Sequence, residues 1–219
     1  MAAPSQSDKL TSLMSSVSKA FEKLLDDYFN DFYASHPADA TYVGLTSGEG
    51  QFNEATLPAL RRQHRRRQAA LGNLNTIAPS ALSNEQNLDR LAFRARLLRE
   101  CEDFERGRHT LDPHGLDEVF DFLLREMQRG ETEPTRAAKN IRSLLSGTPR
   151  YLTQAARLME RPERVWRDIM DGAFKASGSF FDAVASFLKS NGNKKNDVSL
   201  IRLAKRACTR YHGNVMAKR

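Results

Sequence analysis

The chain has 219 residues, enough for one sizeable domain or two small ones. Hydrophobic residues make up 40% and charged residues 28%, a globular balance that excludes an intrinsically disordered chain. The formal net charge of +7 favours polyanions as partners without establishing nucleic-acid binding. Two cysteines are too few for a disulfide framework or a four-ligand zinc ribbon. Because the sequence shows neither a signal-peptide pattern nor a membrane span, we expect a cytoplasmic protein.

Apolar residues recur with helical spacing from near the N-terminus. Residues 8–34 place them at steps of three or four, which predicts a long amphipathic helix. The stretch HPADATYVG follows, and it predicts a short helical turn with Pro37 near its start. Residues 54–74 predict a second long helix, with His64 along its apolar stripe as a packed or half-exposed histidine.

The third helix has a recognisable start. SNEQ at residues 83–86 predicts a capping box, with Ser83 as the N-cap and Gln86 three residues later. Gly107 is predicted to close this helix. Its apolar residues are predicted to share one face: Leu88, Leu91, Ala95, Leu98 and Cys101.

Proline and glycine divide the rest of the chain. LDEVFDFLLREM predicts a helix, and Pro134 opens another that is expected to end at Gly147. Thr148 is predicted to cap a further helix with Pro149 as its first residue. After Pro162 a helical stripe resumes.

A polar segment separates the last helix. KSNGNKKND at residues 189–197 contains no large apolar residue and is predicted to be a linker. The expected organisation is a helical domain at 1–188, this linker, and a C-terminal helix with a frayed tail at 198–219. Since strand-like alternation is missing, we predict an all-α fold, a bundle of about eight to nine helices with short loops.

The segment RRQHRRR, residues 61–67, places five arginines around one histidine. Clustered arginines are the electrostatic footprint of nucleic-acid sites, but no aromatic residue interleaves them to stack on bases. Arginines on a helix flank are equally at home in solvent. We interpret the run mainly as an exposed helix flank. The alternative is a basic surface patch that binds nucleic acid or an acidic protein partner, formed by Arg61, Arg62, Arg65, Arg66 and Arg67.

The search for chemistry finds no motif with the spacing of an active site. His109 and His114 share a loop with Asp112, but a metal site needs more ligands in a fixed frame. No His-Glu-x-x-His, phosphate-binding glycine loop or Gly-x-Ser-x-Gly elbow occurs. We therefore assign no catalytic residue, no metal ligand and no cofactor to this chain.

Three stretches together resemble a known family. They are YFNDFYASHPADATYVGL (28–45), LSNEQNLDRLAFRARLLRECEDFE (82–105) and RAAKNIRSLLSGTPRYLTQAARLM (136–159). In order and spacing the chain is similar, from about residue 20 to about 210, to the N-terminal part of the bacterial domain-of-unknown-function family 885 (DUF885).

The resemblance implies a helical region of a longer metallopeptidase-like protein. The family's later part carries a His-Glu pair followed by Pro-Gly-His, which looks like a zinc site; this sequence contains neither. The resemblance thus predicts a non-catalytic N-terminal helical region, with zinc expected only in the family's C-terminal region. The chain would be a truncated product, a fragment or a stand-alone relative. Its implied partners are the missing C-terminal half or a peptide substrate.

Overall fold

The computed structural model describes residues 6–218, with the side chains of residues 15–218. Within this part of the chain every regular element is a helix, which confirms the all-α prediction. Three short 3-10 helices lie at Thr46–Gly48, Pro79–Ala81 and Arg108–Thr110. None of the described helices is both long and apolar enough to cross a membrane. The α-helices are α1 (Gln6–Ser35), α2 (Pro37–Tyr42), α3 (Leu57–Asn75), α4 (Asn84–Glu105), α5 (Gly115–Arg129), α6 (Pro134–Leu158), α7 (Arg164–Ser190) and α8 (Asp197–Met216).

Local chemistry sets several helix ends where the sequence predicts them. Ser83 Oγ accepts from the Gln86 N–H at 3.1 Å, and the Gln86 side chain accepts from the Ser83 N–H at 3.2 Å. This is the predicted capping box at the start of α4. Gly107 ends the same helix with φ of 70°, a left-handed conformation that suits glycine. Pro37 and Pro134 open α2 and α6.

Helix α6 corrects the predicted break at residues 147–149. Thr148 and Pro149 lie inside α6, so the predicted cap is wrong. Pro149 has no N–H, and the Leu145 carbonyl loses its helical donor. The Thr148 hydroxyl does not cap a helix: it donates to the Leu144 carbonyl, one turn earlier in α6, at 2.8 Å. The helix continues because residues on both sides of Pro149 are buried in the same core, including Leu144, Leu145, Leu152 and Ala155.

Contacts between residues divide the chain into two units. Unit 1 comprises residues 1–32 and 60–106, and unit 2 comprises residues 33–59 and 107–219. This division differs from the predicted boundary after residue 188. Helix α8 belongs to unit 2, packs against α6 and α7, and buries Ile201, Ala204, Cys208, Tyr211 and Val215 in their shared core.

Unit 1 has its own small core, contributed by α1, α3, α4 and the chain that follows α3. The Tyr28 and Phe93 rings meet edge to face, with centroids 4.9 Å apart. Leu74 and Leu97 are fully buried beside them. The buried members of this core are Phe21, Tyr28, Ala70, Leu74, Ile77, Leu82, Phe93 and Leu97.

Helix α4 exposes the apolar face that its sequence suggests. The side of α4 that packs into unit 1 carries Phe93, Leu97 and Cys101. On the other side Leu88 is 69% exposed, Leu91 54% and Leu98 40%. Of the residues grouped from the sequence, only Cys101 is buried. The reason is that α4 has two apolar sides, and unit 1 buries the one with the aromatic ring.

The core of unit 2 is built around α6, which packs against both α5 and α8. Leu116, Val119 and Leu123 from α5 are fully buried against it. Helix α8 stays regular through residues 212–216, so the predicted frayed tail begins only after Met216. His212 stacks on Phe174 with ring centroids 4.1 Å apart, and Val215 is fully buried.

Candidate functional site

The arginine run lies on α3 and splits into two groups. Arg61, Arg62 and Arg65 are exposed, and so is Arg66, whose Nε lies 3.6 Å from the Asp31 carboxylate. An exposed pair of this kind contributes little to stability. These four residues match the predicted exposed flank.

Arg67 departs from that flank. Its Nε donates to Glu100 at 2.7 Å, and the two side chains are only 14% and 16% exposed. Arg96 holds the other oxygen of the same carboxylate at 2.8 Å. Arg67 is therefore a packing residue between α3 and α4. The sequence carried a signal for this, because Arg67 lies seven residues from both Leu60 and Leu74 and thus on their side of the helix.

His64 is buried, which confirms the packed histidine expected from its position. Its ring stacks on Phe104 with centroids 4.5 Å apart. Its Nε2 lies 3.5 Å from the exposed carboxylate of Glu105. The histidine at the centre of RRQHRRR is thus turned inward, away from the exposed arginines.

In unit 2 the first cluster of charged side chains surrounds Glu49. Arg136 binds this carboxylate through two nitrogens, at 2.7 and 2.6 Å, and Arg129 Nη1 adds a third contact at 3.0 Å. Asn140 donates to Glu49 and, at 3.1 Å, to Glu126. Burial opposes ionisation of Glu49, but the hydrogen bonds from Arg136 and Asn140 outweigh it and lower its pKa.

Gly48, the residue before Glu49, packs directly against the backbone of Pro37. A Cβ on Gly48 would lie 2.2 Å from the Pro37 carbonyl oxygen, so only glycine fits there. Asn53 accepts from the Ala38 N–H and donates to Asp39. The His-Pro-Ala-Asp stretch that helps carry the family resemblance therefore makes structural contacts within unit 2.

A second cluster in unit 2 centres on Glu118. The Tyr151 hydroxyl donates to its carboxylate at 2.5 Å, and the Tyr151 ring stacks on Phe52 at 4.6 Å. Burial raises the pKa of Glu118, although the hydrogen bond from Tyr151 works against that rise. The Tyr211 hydroxyl accepts at 3.3 Å from the N–H of Gly115, which lies three residues before Glu118 in the sequence.

The two histidines of the loop, His109 and His114, have different surroundings. His114 Nε2 lies 2.8 Å from Asp112, and this carboxylate raises the pKa of His114. Burial lowers the pKa of His109. Among the described residues, no three or more His, Cys, Asp or Glu side chains are grouped so that they could hold a metal ion.

In unit 2 a groove of about 420 Å³ lies between α6 and α8. Its floor is apolar, with Leu152, Ala156, Ala207 and Tyr211. Three basic residues line it: Arg157, Arg210 and Lys218.

The three cations of this groove have different environments. The Lys218 ammonium donates to the Ala156 carbonyl at 3.0 Å and to the Met159 carbonyl, both at the end of α6. Arg157 and Arg210 are exposed at the rim. Sequence reasoning missed this groove, because more than 50 residues separate Arg157 from Arg210 and neither belongs to a motif. We find that helix pairing alone brings them together.

No protein-family model, characterised protein or solved structure matches the chain. The likeness to family 885 stays a prediction, resting on the three sequence stretches quoted above.

Proposed function

We propose that this chain is a non-catalytic helical binding region of a protein resembling the metallopeptidase-like family 885. Its helices would wall a ligand-binding cleft, and chemistry would depend on groups outside residues 1–219. The family's zinc ion would be bound by its His-Glu motif. This sequence lacks that motif, so the proposal assigns no zinc ligand to the chain.

One observation supports the proposal: four carboxylates that are buried or half-buried are each bound by side chains of the chain itself. Arg136 and Arg129 hold Glu49, Arg67 and Arg96 hold Glu100, and Arg142 holds Asp197 at 2.7 Å. The Tyr151 hydroxyl occupies Glu118. A carboxylate held by a guanidinium is fixed in position, so it serves helix packing better than proton transfer to a substrate.

The test is a metal and activity assay on the untagged chain. After dialysis against zinc, we expect less than stoichiometric bound metal and no cleavage of a peptide library. Stoichiometric zinc with chelator-sensitive hydrolysis, lost in His109→Ala or His114→Ala, would overturn the proposal. The matched control is His36→Ala, because His36 lies outside the His109–His114 loop.

A second candidate function is supported by the groove between α6 and α8. Its apolar floor and the rim residues Arg157 and Arg210 suit an acidic polypeptide that carries apolar side chains. The exposed Arg61, Arg62 and Arg65 offer a separate surface for nucleic acid. The two surfaces take different ligands, so one pair of variants separates them.

Fluorescence anisotropy distinguishes these ligands. With a labelled peptide rich in Glu and Leu, the Arg157→Gln/Arg210→Gln variant is expected to lose binding, and Arg61→Gln/Arg62→Gln/Arg65→Gln to keep it. With a labelled oligonucleotide the second variant tests the α3 surface, where each phosphate contact removed reduces the salt slope by about 0.9. Equal binding by the wild type and both variants would contradict this second function.

A further inference from the structure

Helix α4 carries an apolar stripe that the described structure leaves in water. Its members, Leu88, Leu91, Ala95 and Leu98, are all exposed. They extend over about 15 Å of helix, at 1.5 Å per residue. A row of three exposed leucines on one side of a helix differs from single scattered apolar residues, which are common on protein surfaces. We name it the α4 stripe.

The spacing within the α4 stripe is that of a helix-pairing seam. The steps are three, four and three residues, which place the four side chains at alternating a and d positions of a heptad. This seam is narrower than the broad face by which a helix packs onto a globular core. It suits one partner helix lying alongside α4.

The same spacing reads identically from either end. If a second α4 lies antiparallel, Leu88 of one copy falls opposite Leu98 of the other, and Leu91 falls opposite Ala95. Each half of the contact then contains one leucine–leucine pair and one leucine–alanine pair, and the two halves are identical, as a two-fold symmetric contact requires. A parallel arrangement would instead place Ala95 opposite Ala95 and leave a gap at the centre.

The charges that flank the stripe fit the antiparallel arrangement as well. Glu85 and Arg99 lie on the same flank, two heptads apart, and both are exposed. In an antiparallel pair, Glu85 of each copy comes beside Arg99 of the other, so two opposite-charge contacts form. On the other flank, Arg94 comes beside its own symmetry mate, which weakens the pair.

We propose that the α4 stripe is the seam of an antiparallel homodimer of this chain. The seam is small: α4 has 22 residues, about 33 Å in length, and a stable interface buries about 800 Å² on each partner. The dimer is therefore weak and forms reversibly with rising concentration. This inference does not depend on the function proposed above.

The first test measures mass against concentration by sedimentation equilibrium of the full chain. We expect a monomer–dimer equilibrium that Leu91→Asp and Leu98→Asp abolish, because each buries two carboxylates in the seam. The matched control is Val198→Asp, another exposed apolar residue on a helix, which is expected to dimerise like the wild type. Thermal unfolding at a concentration where the wild type is monomeric is expected to change little in any variant, since the replaced side chains are exposed.

The second test is a charge swap that identifies the arrangement. Glu85→Arg and Arg99→Glu are each expected to weaken the dimer on the order of ten-fold, because two exposed pairs become repulsive. The double variant Glu85→Arg/Arg99→Glu restores both pairs and is expected to recover wild-type affinity. Arg94→Gln is expected to tighten the dimer.

Several outcomes would overturn the proposal. A monomer at every concentration would show that the stripe is covered by a different molecule or by none. A dimer that survives Leu91→Asp would place the interface elsewhere. A double charge variant no tighter than the single variants would exclude the antiparallel register.

Discussion

At the scale of single residues, Glu118 shows how burial sets the titration of a carboxyl group. Burial raises its pKa, and the Tyr151 hydroxyl donates to it at 2.5 Å. A carboxyl whose pKa is higher in the folded than in the unfolded chain makes folding less favourable as pH rises through that interval. Glu118 therefore lowers the stability of the protein when it ionises.

We predict that Glu118→Gln is at least as stable as the wild type at neutral pH. The amide oxygen still accepts from Tyr151, and the cost of ionising a half-buried carboxyl is removed. The loss of stability between about pH 4.5 and neutral pH becomes smaller. Urea unfolding across that range is the measurement, with the exposed Glu131→Gln as control. A large loss of stability at every pH would show that the ionised carboxylate is needed.

Gly48 supplies a second residue-scale prediction, based on space. An alanine Cβ there would lie 2.2 Å from the Pro37 carbonyl oxygen, a backbone atom that cannot rotate away. Gly48→Ala is expected to cost about 1–3 kcal/mol. Gly72→Ala is the matched control: its Cβ meets nothing within 4 Å in α3, and it should stabilise by up to about 1 kcal/mol. Similar unfolding midpoints for both variants would contradict this account.

At the scale of an element, the start of α4 depends on its capping box. Ser83→Ala removes one acceptor from the first turn and is expected to cost about 1 kcal/mol. Ser80→Ala, in the preceding 3-10 helix, is the control and should change little, since its side chain is exposed. Chemical denaturation of the two variants side by side gives the comparison. A cost at Ser80 equal to that at Ser83 would show that the cap contributes nothing specific.

The start of α8 depends on an ion pair with α6. Arg142 binds Asp197 through two nitrogens at 2.7 and 3.0 Å and also donates to the Gly192 carbonyl at 2.7 Å. The hydrogen bond from Arg142 is the main reason that the pKa of Asp197 is lowered. A carboxyl with a lowered pKa stabilises the fold above its unfolded value of 3.8, and this contribution is lost as pH falls below it.

We therefore predict that Arg142→Gln costs about 3 kcal/mol at neutral pH, because it leaves a buried carboxylate without its charged partner and with only the Lys194 N–H still donating to it. The cost should shrink as pH falls below 3.8, where the unfolded chain takes up a proton first, towards the lowered pKa of Asp197 in the folded protein. Thermal unfolding at several pH values measures both effects. The exposed Arg150→Gln on the same helix is the control. A cost that does not depend on pH would assign the effect of Arg142 to packing alone.

At the scale of the whole molecule, the described residues form one hydrophobic core in each unit. Leu97 belongs to the core of unit 1 and Leu123 to that of unit 2, and both are fully buried. Leu97→Ala and Leu123→Ala are each expected to cost about 2–5 kcal/mol. Hydrogen exchange should rise mainly among amides of the unit that carries the substitution. A uniform rise across both units in both variants would show one cooperative unit.

Much of the fold could be predicted from the sequence, because helix starts and stops depend on local chemistry. Ser83 with Gln86, Gly107 and Pro134 each act on the backbone within one turn. Pro149 misled the prediction for the opposite reason: its local cost to α6 is real. The burial of Leu145 and Leu152 on the same core outweighs that cost, and burial is not visible in a local pattern.

Sequence determined the helical class, the order of the helices and the separation of exposed from packed residues where one face alone is apolar. Only the tertiary structure decided which apolar side of α4 is buried, that Arg67 meets Glu100, and that Arg157 and Arg210 share a groove. The physical reason is the distance in sequence over which each interaction acts. Periodicity and caps act within a helix, whereas burial and charge pairing depend on neighbours that the fold brings from 33 to 53 residues away, as for Arg67 with Glu100 and Arg157 with Arg210.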